Sequence, residues 1–128
     1  MGYSDVSITM KKEDYDKFTV EIIKAEDKVK ETLVRLLKNA KILHNTEYDF
    51  VTIGFTWIKW YEHFDYVCFI SNFLAGLDNY LINIIGENYD GIEEILIGDC
   101  SEMFEVNHIE CVIKIETDNT NELKFDLS

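Results

Sequence analysis

The sequence predicts an α+β domain: a small antiparallel sheet with one packed helix and one long N-terminal helix of coiled-coil-like spacing. Three observations predict it. A run of about 30 residues from Lys11 to Ala40 holds no Gly or Pro and is rich in Lys, Glu, Leu and Ala, the composition of a helix. Several shorter runs are rich in aromatic and β-branched residues, as strands are. Between them, Phe64, Val67, Ile70, Phe73, Leu74 and Leu77 recur at helical spacing.

The elements follow in order. Val6-Ser7-Ile8-Thr9 alternates apolar and polar residues, a short strand. The long helix follows over about 11–40, with Glu13→Lys17, Glu26→Lys30 and Glu31→Arg35 in the favourable i,i+4 orientation. His44 to Thr46 reads as irregular. Tyr48 to Ile58 reads as a strand, with Gly54 marking a bulge or tight turn inside it. Asp65 to Leu77 is a second helix, ended at Asp78-Asn79. Tyr80 to Ile85 is a buried strand closed by Gly86, and Glu87 to Gly91 is irregular. Ile92 to Ile97 fits a helical turn or a strand. Glu105 to Glu116 reads as a strand with Ile109, Cys111, Ile113 and Ile115 inward. Leu123 to Leu127 is a short final strand. The 128 residues form one domain: the long helix, an α+β core over about 47–116, and a polar tail over 117–128.

A 3-4 spacing from Tyr15 visits Phe18, Ile22, Ala25, Val29, Thr32, Leu36, Asn39 and Leu43, an a/d seam held for about four heptads. A 30-residue helix would reach roughly 45 Å. A domain of this size is only about 30–35 Å across. A homodimer through Phe18, Ile22, Ala25, Val29 and Leu36 is therefore expected. Ile23, Leu33, Val34 and Leu37 widen the stripe, which equally suits a helix packed on its own sheet.

The charge is unevenly placed. Net charge is −13, from 25 acidic and 12 basic residues. Residues 1–59 hold 10 of each sign, whereas Trp60 to Ile113 holds 11 acidic residues and no Lys or Arg. Such a balance argues against direct nucleic-acid or anionic-membrane binding, both of which need cations on the protein. It favours a basic protein partner, since an acidic surface accelerates encounter with a cationic cleft. Glu87, Asp90, Glu93, Glu94, Asp99, Glu102 and Glu105 are the expected partner-binding residues. Trp57, Trp60, Tyr61, Tyr66 and Tyr89 border the same region, and Trp and Tyr are favoured at binding hot spots. Acidity kept only for solubility is the competing explanation.

No catalytic site, cofactor or metal is expected. Asn88-Tyr89-Asp90-Gly91-Ile92-Glu93 fails as a calcium loop, because it would place Gly86 and Ile97 where carboxylate ligands are needed. Cys100, His108 and Cys111 lack zinc-ligand spacing. His44 and His63 have no nucleophilic context, and Cys68 is expected in the core. The three cysteines form no disulfide framework, and no secretory leader is read at Met1-Gly2-Tyr3-Ser4-Asp5, so a cytoplasmic location is expected.

The stretch Tyr80-Leu81-Ile82-Asn83-Ile84-Ile85-Gly86-Glu87-Asn88-Tyr89-Asp90-Gly91-Ile92-Glu93-Glu94, with Trp57-Ile58-Lys59-Trp60-Tyr61 before it, resembles small phage-encoded accessory proteins. The small, acidic α+β type resembles anti-CRISPR and anti-restriction inhibitors. The likeness is of type and carries over no individual residue. It implies a stoichiometric inhibitor whose acidic surface occupies the nucleic-acid-binding groove of a host defence complex. An immunity protein that neutralises a basic nuclease toxin has the same electrostatics and stays open beside it.

Overall fold

The computed structural model describes residues 3–86, 92–107 and 120–125, with Glu105 described by its backbone alone. The elements run β1 (Ser4–Lys11), α1 (Lys12–Ile23), α2 (Asp27–Asn39), β2 (Lys41–Asn45), β3 (Phe50–Ile58), α3 (Asp65–Ala75), β4 (Tyr80–Gly86), β5 (Ile92–Ile97), α4 (Met103–Val106) and β6 (Thr120–Leu123). The strands form one sheet in the order β5-β4-β1-β3-β2-β6, and every neighbouring pair is antiparallel. The α+β class and the antiparallel sheet are as the sequence predicts.

Period-2 alternation in the central strands builds two unlike faces. Val6, Ile8 and Met10 of β1 join Val51, Ile53 and Phe55 of β3 and Ile82 of β4 in the main core. Tyr15, Phe18 and Ile22 of α1, Leu33 and Leu37 of α2, and Ile70 and Leu74 of α3 close over that face. Each such side chain contributes roughly 1.5–3 kcal/mol by leaving water. The opposite face carries a smaller cluster of Phe50, Leu81 and Met103, with Leu96, Cys100 and Val106 around it.

That second face is polar at its centre. Thr9 and Thr52 are register partners, and their hydroxyl oxygens lie 2.7 Å apart. Asn107, 2% exposed, seals them: its Nδ2 donates to Thr9 Oγ1 at 2.7 Å and to the carbonyls of Ser7 and Leu81, each at 3.3 Å. Thr52 donates back to the Val106 carbonyl at 3.3 Å. The four-residue α4 is thus fastened through buried polar groups that would otherwise be left without partners.

The single long helix is corrected. The run divides into α1 of 12 residues and α2 of 13, broken at Lys24 to Glu26. The α1 C-cap N–H of Lys24 bonds back to Val20, and Glu26, with extended backbone, starts α2. Strands of five to nine residues span far less than a 45 Å rod. The break folds the run back so that both halves cover the sheet. The local signal is a cation and an anion at the right helix ends: Lys24 closes α1, and Asp27 lies in the first turn of α2. Phe18 and Ile22 are core residues of this chain, Ala25 lies in the break, and Val29 and Leu36 are half-buried against the core. The continuous helix that a coiled-coil homodimer needs is absent.

Four smaller expectations change. Lys41–Asn45 is strand β2, where only irregular chain is predicted from His44, because Ile42 and Leu43 pair with Ile53 and Thr52. The bulge lies beyond Gly54: Ser4 faces Ile58 and Val6 faces Phe55, so Thr56 and Trp57 together oppose Asp5. Gly54 itself keeps regular pairing to Ser7 and Lys41. Glu105 and Val106 end α4 in place of opening a strand, while 108–116 lie outside the described residues. Within the tail, β6 occupies Thr120–Leu123 and pairs with β2, so part of it belongs to the sheet.

Candidate interaction surface

Ile92–Ile97, ambiguous in sequence, is the edge strand β5. Among the described residues it pairs with β4 alone, Ile92 opposite Ile85 and Ile97 opposite Tyr80. Being on the edge, it leaves the backbone groups of alternate residues turned away from β4. Glu93 lies opposite Ile84 and Glu94 opposite Asn83, on opposite faces of the sheet. Glu94 is oriented by Asn83, whose Nδ2 donates to Glu94 Oε2 at 3.1 Å. Three isoleucines are exposed beside them: Ile92 at 65%, Ile95 at 43% and Ile97 at 41%.

A tight turn fixes where β5 ends. Gly98 has φ +93°, and a Cβ there would fall 2.0 Å from Asn79 Oδ1 and 2.4 Å from the Asp78 carbonyl. Asn79 Oδ1 also accepts the Asp99 N–H at 3.2 Å. The α3–β4 junction and the end of β5 are thereby held against each other. Asp99 follows the turn and Glu102 precedes α4, both exposed.

Four of the seven predicted partner-binding residues, Glu93, Glu94, Asp99 and Glu102, therefore follow one another along the β5 edge and the turn beyond it. Glu105 belongs to α4, without a described side chain, and Glu87 and Asp90 lie outside the described residues. The described ion pairs join Lys12 to Asp16, Lys17 to Asp14, Lys24 to Glu21, Lys41 to Glu122 and His44 to Asp49. Among the described residues, no carboxylate from Glu62 to Glu102 has a cationic partner.

A groove of about 640 Å³ between α1 and α3 differs in character. Lys11 and Lys17 stand there with Asp14, Glu21 and Asp78. Burial raises the Asp14 carboxyl above the usual aspartate value, while Lys17 at 4.0 Å acts the other way. Mixed signs make this groove a poorer fit to a purely cationic partner.

The aromatic residues separate. Trp57 is 65% exposed, and its ring stacks on Tyr3 at 4.9 Å with the planes 9° apart. Trp60 and Tyr66 pack on the core, and the Tyr66 hydroxyl donates to the Lys59 carbonyl. Tyr61 is half-buried in a ring cluster with His63 and Phe64, and Tyr89 lies outside the described residues. Cys68 is corrected: it lies on the exposed side of α3, where its Sγ–H donates to the Glu62 carbonyl at 3.0 Å.

Sequence reasoning misses the exposed isoleucines of β5. The available signal is the pair Glu93-Glu94 inside an otherwise apolar run, which breaks both helical and strand alternation. No group of three or more His, Cys, Asp or Glu suited to a metal ion occurs among the described residues. No helix among them is long and apolar enough to cross a membrane. Comparisons with protein families, curated proteins and solved structures each return no match.

Proposed function

We propose that this protein is a stoichiometric inhibitor that sets its acidic β5 edge into the cationic nucleic-acid-binding groove of a host defence complex of the CRISPR-effector or restriction type. One observation carries the reading: Glu93, Glu94, Asp99 and Glu102 line one edge and have no ion pair among the described residues, within 54 residues that contain no Lys or Arg. Unpaired carboxylates repel one another and oppose folding, so their gathering favours a partner that supplies the missing positive charge. Carboxylates placed where phosphates would sit compete directly with DNA or RNA for the groove.

The test is retention of a purified CRISPR effector complex by the immobilised protein. Retention at low salt, lost at high salt and blocked by prior loading with nucleic acid, is the expected result. Reversing Glu93, Glu94, Asp99 and Glu102 to Lys reduces retention at least about tenfold. Retention unchanged by that reversal overturns the electrostatic mechanism.

A further inference from the structure

Resting on the reading just given, we infer that β5 receives an extended segment of the cationic partner as an added strand at its outer edge, and that this segment carries two consecutive Lys or Arg residues. Among the described residues the sheet ends at β5, and alternate backbone N–H and C=O groups of an edge strand face outward, ready to pair. Edges that stay free are usually very short, bulged, broken by Pro or studded with charge, most often Lys. Here the six-residue β5 keeps unbroken register with β4 and exposes Ile92, Ile95 and Ile97.

The side chains define the occupant. Glu93 and Glu94 project to opposite faces, so matching both takes adjacent cations on the incoming strand, one for each face. Ile95 and Ile97 share the helix-covered face with Glu93 and call for apolar residues opposite them. An antiparallel segment therefore reads, from its amino end, apolar opposite Ile97, any residue opposite Leu96, apolar opposite Ile95, then two cations opposite Glu94 and Glu93.

A second copy of this chain is a worse fit. Centred on Ile95, two antiparallel β5 strands place Glu94 opposite Leu96 and Glu93 opposite Ile97 of the other copy. Neither carboxylate meets a cation, since β5 holds none, and each copy brings a net charge of −13. The charge pattern selects a basic strand over self-pairing.

The experiment titrates the intact protein with a synthetic peptide reading valine-threonine-valine-lysine-lysine-valine, following backbone amide signals by NMR. Two further peptides carry N-methyl groups on alternate amides, one on each alternate set. Strand addition turns one set of peptide N–H groups toward β5 and the other toward solvent. We expect shifts and slowed amide exchange over Ile92–Ile97, at least about tenfold weaker binding for one methylated peptide, and near-unchanged binding for the other. The Glu93→Lys, Glu94→Lys double variant, both positions exposed, reverses preference toward a peptide with two glutamates in place of the lysines.

Equal binding by both methylated peptides, or no binding by any, overturns strand addition. So does a dimer in sedimentation that Ile95→Lys dissociates, because the edge is then taken by a second copy. These results leave retention of the effector complex, and its loss on charge reversal, as a separate measure of the acidic-surface reading.

Discussion

The Asp5 carboxylate accepts the backbone N–H of Trp57 at 2.9 Å, tying the extra residue of the β3 bulge to the strand it bulges from. Trp57 has φ +58°, a left-handed conformation unusual for a bulky residue. Holding it there costs about 1–2 kcal/mol, which the Asp5 bond and the Tyr3 stack offset.

Asp5→Ala is expected to lower stability by about 1 kcal/mol in urea unfolding. In a Trp57→Gly background the same change costs less, because glycine adopts positive φ without the carboxylate. A double-mutant cycle showing no coupling would place the bulge's support elsewhere.

Ile22→Ala is expected to cost about 2–4 kcal/mol, as for a fully buried aliphatic side chain. The double variant Ile22→Asp, Val29→Asp is expected to unfold and not to give a folded monomer. Circular dichroism with sedimentation separates the outcomes, and a native-like soluble monomer would restore the seam as an exposed interface.

Asn107→Ala is expected to cost about 2 kcal/mol, since it leaves the Ser7 and Leu81 carbonyls without their amide donor. Hydrogen exchange should quicken first over Met103–Val106, the helix that Asn107 fastens. Uniform quickening across the molecule would mean that α4 has no independent attachment.

Gly98→Ala combines a positive φ with a clash against Asn79 and Asp78, and is expected to destabilise by more than about 1 kcal/mol. The loss should appear as faster amide exchange in β5 before β1 or β3. Because β5 forms the proposed docking edge, retention of the effector complex should fall with it.

Asp14→Asn tests the groove between α1 and α3. Burial raises the folded carboxyl above its ordinary value of 3.8, so the folded state holds this proton more tightly than the unfolded one. Its contribution is most favourable below pH 3.8 and is lost as pH rises through the folded value. The stability difference between Asp14→Asn and the unsubstituted protein should therefore move toward the variant with rising pH, as read from urea midpoints between about pH 3 and 6. A difference that moves the other way would show that Lys17 outweighs burial.

The sheet's central strands were legible because Val6, Ile8, Val51 and Ile53 alternate with polar partners that pack on a real second face. α3 was legible for a similar reason: Val67, Ile70 and Leu74 keep one helical stripe. The break at Lys24 to Glu26 was less visible, since no Gly or Pro marks it and each half is a sound helix by composition. Tertiary coverage of the sheet decides it. β2 was hidden because the chain enters it directly from α2 at Ala40, without a loop. Of the candidate surface, the carboxylates were legible from the missing lysines. The apolar half of the edge was not, because exposure of Ile92, Ile95 and Ile97 depends on β5 lying outermost.

The place of β1 beside both β3 and β4 has a bearing on biosynthesis. β1 leaves the ribosome before either of its hydrogen-bonding neighbours, which end at Ile58 and Gly86. Until Gly86 has emerged, β1 has no complete set of neighbours, so the nascent polypeptide carries an apolar strand without its final shelter. A ribosome stalled before residue 80, with β4 still inside, should display a protease-sensitive segment over β1 to β3.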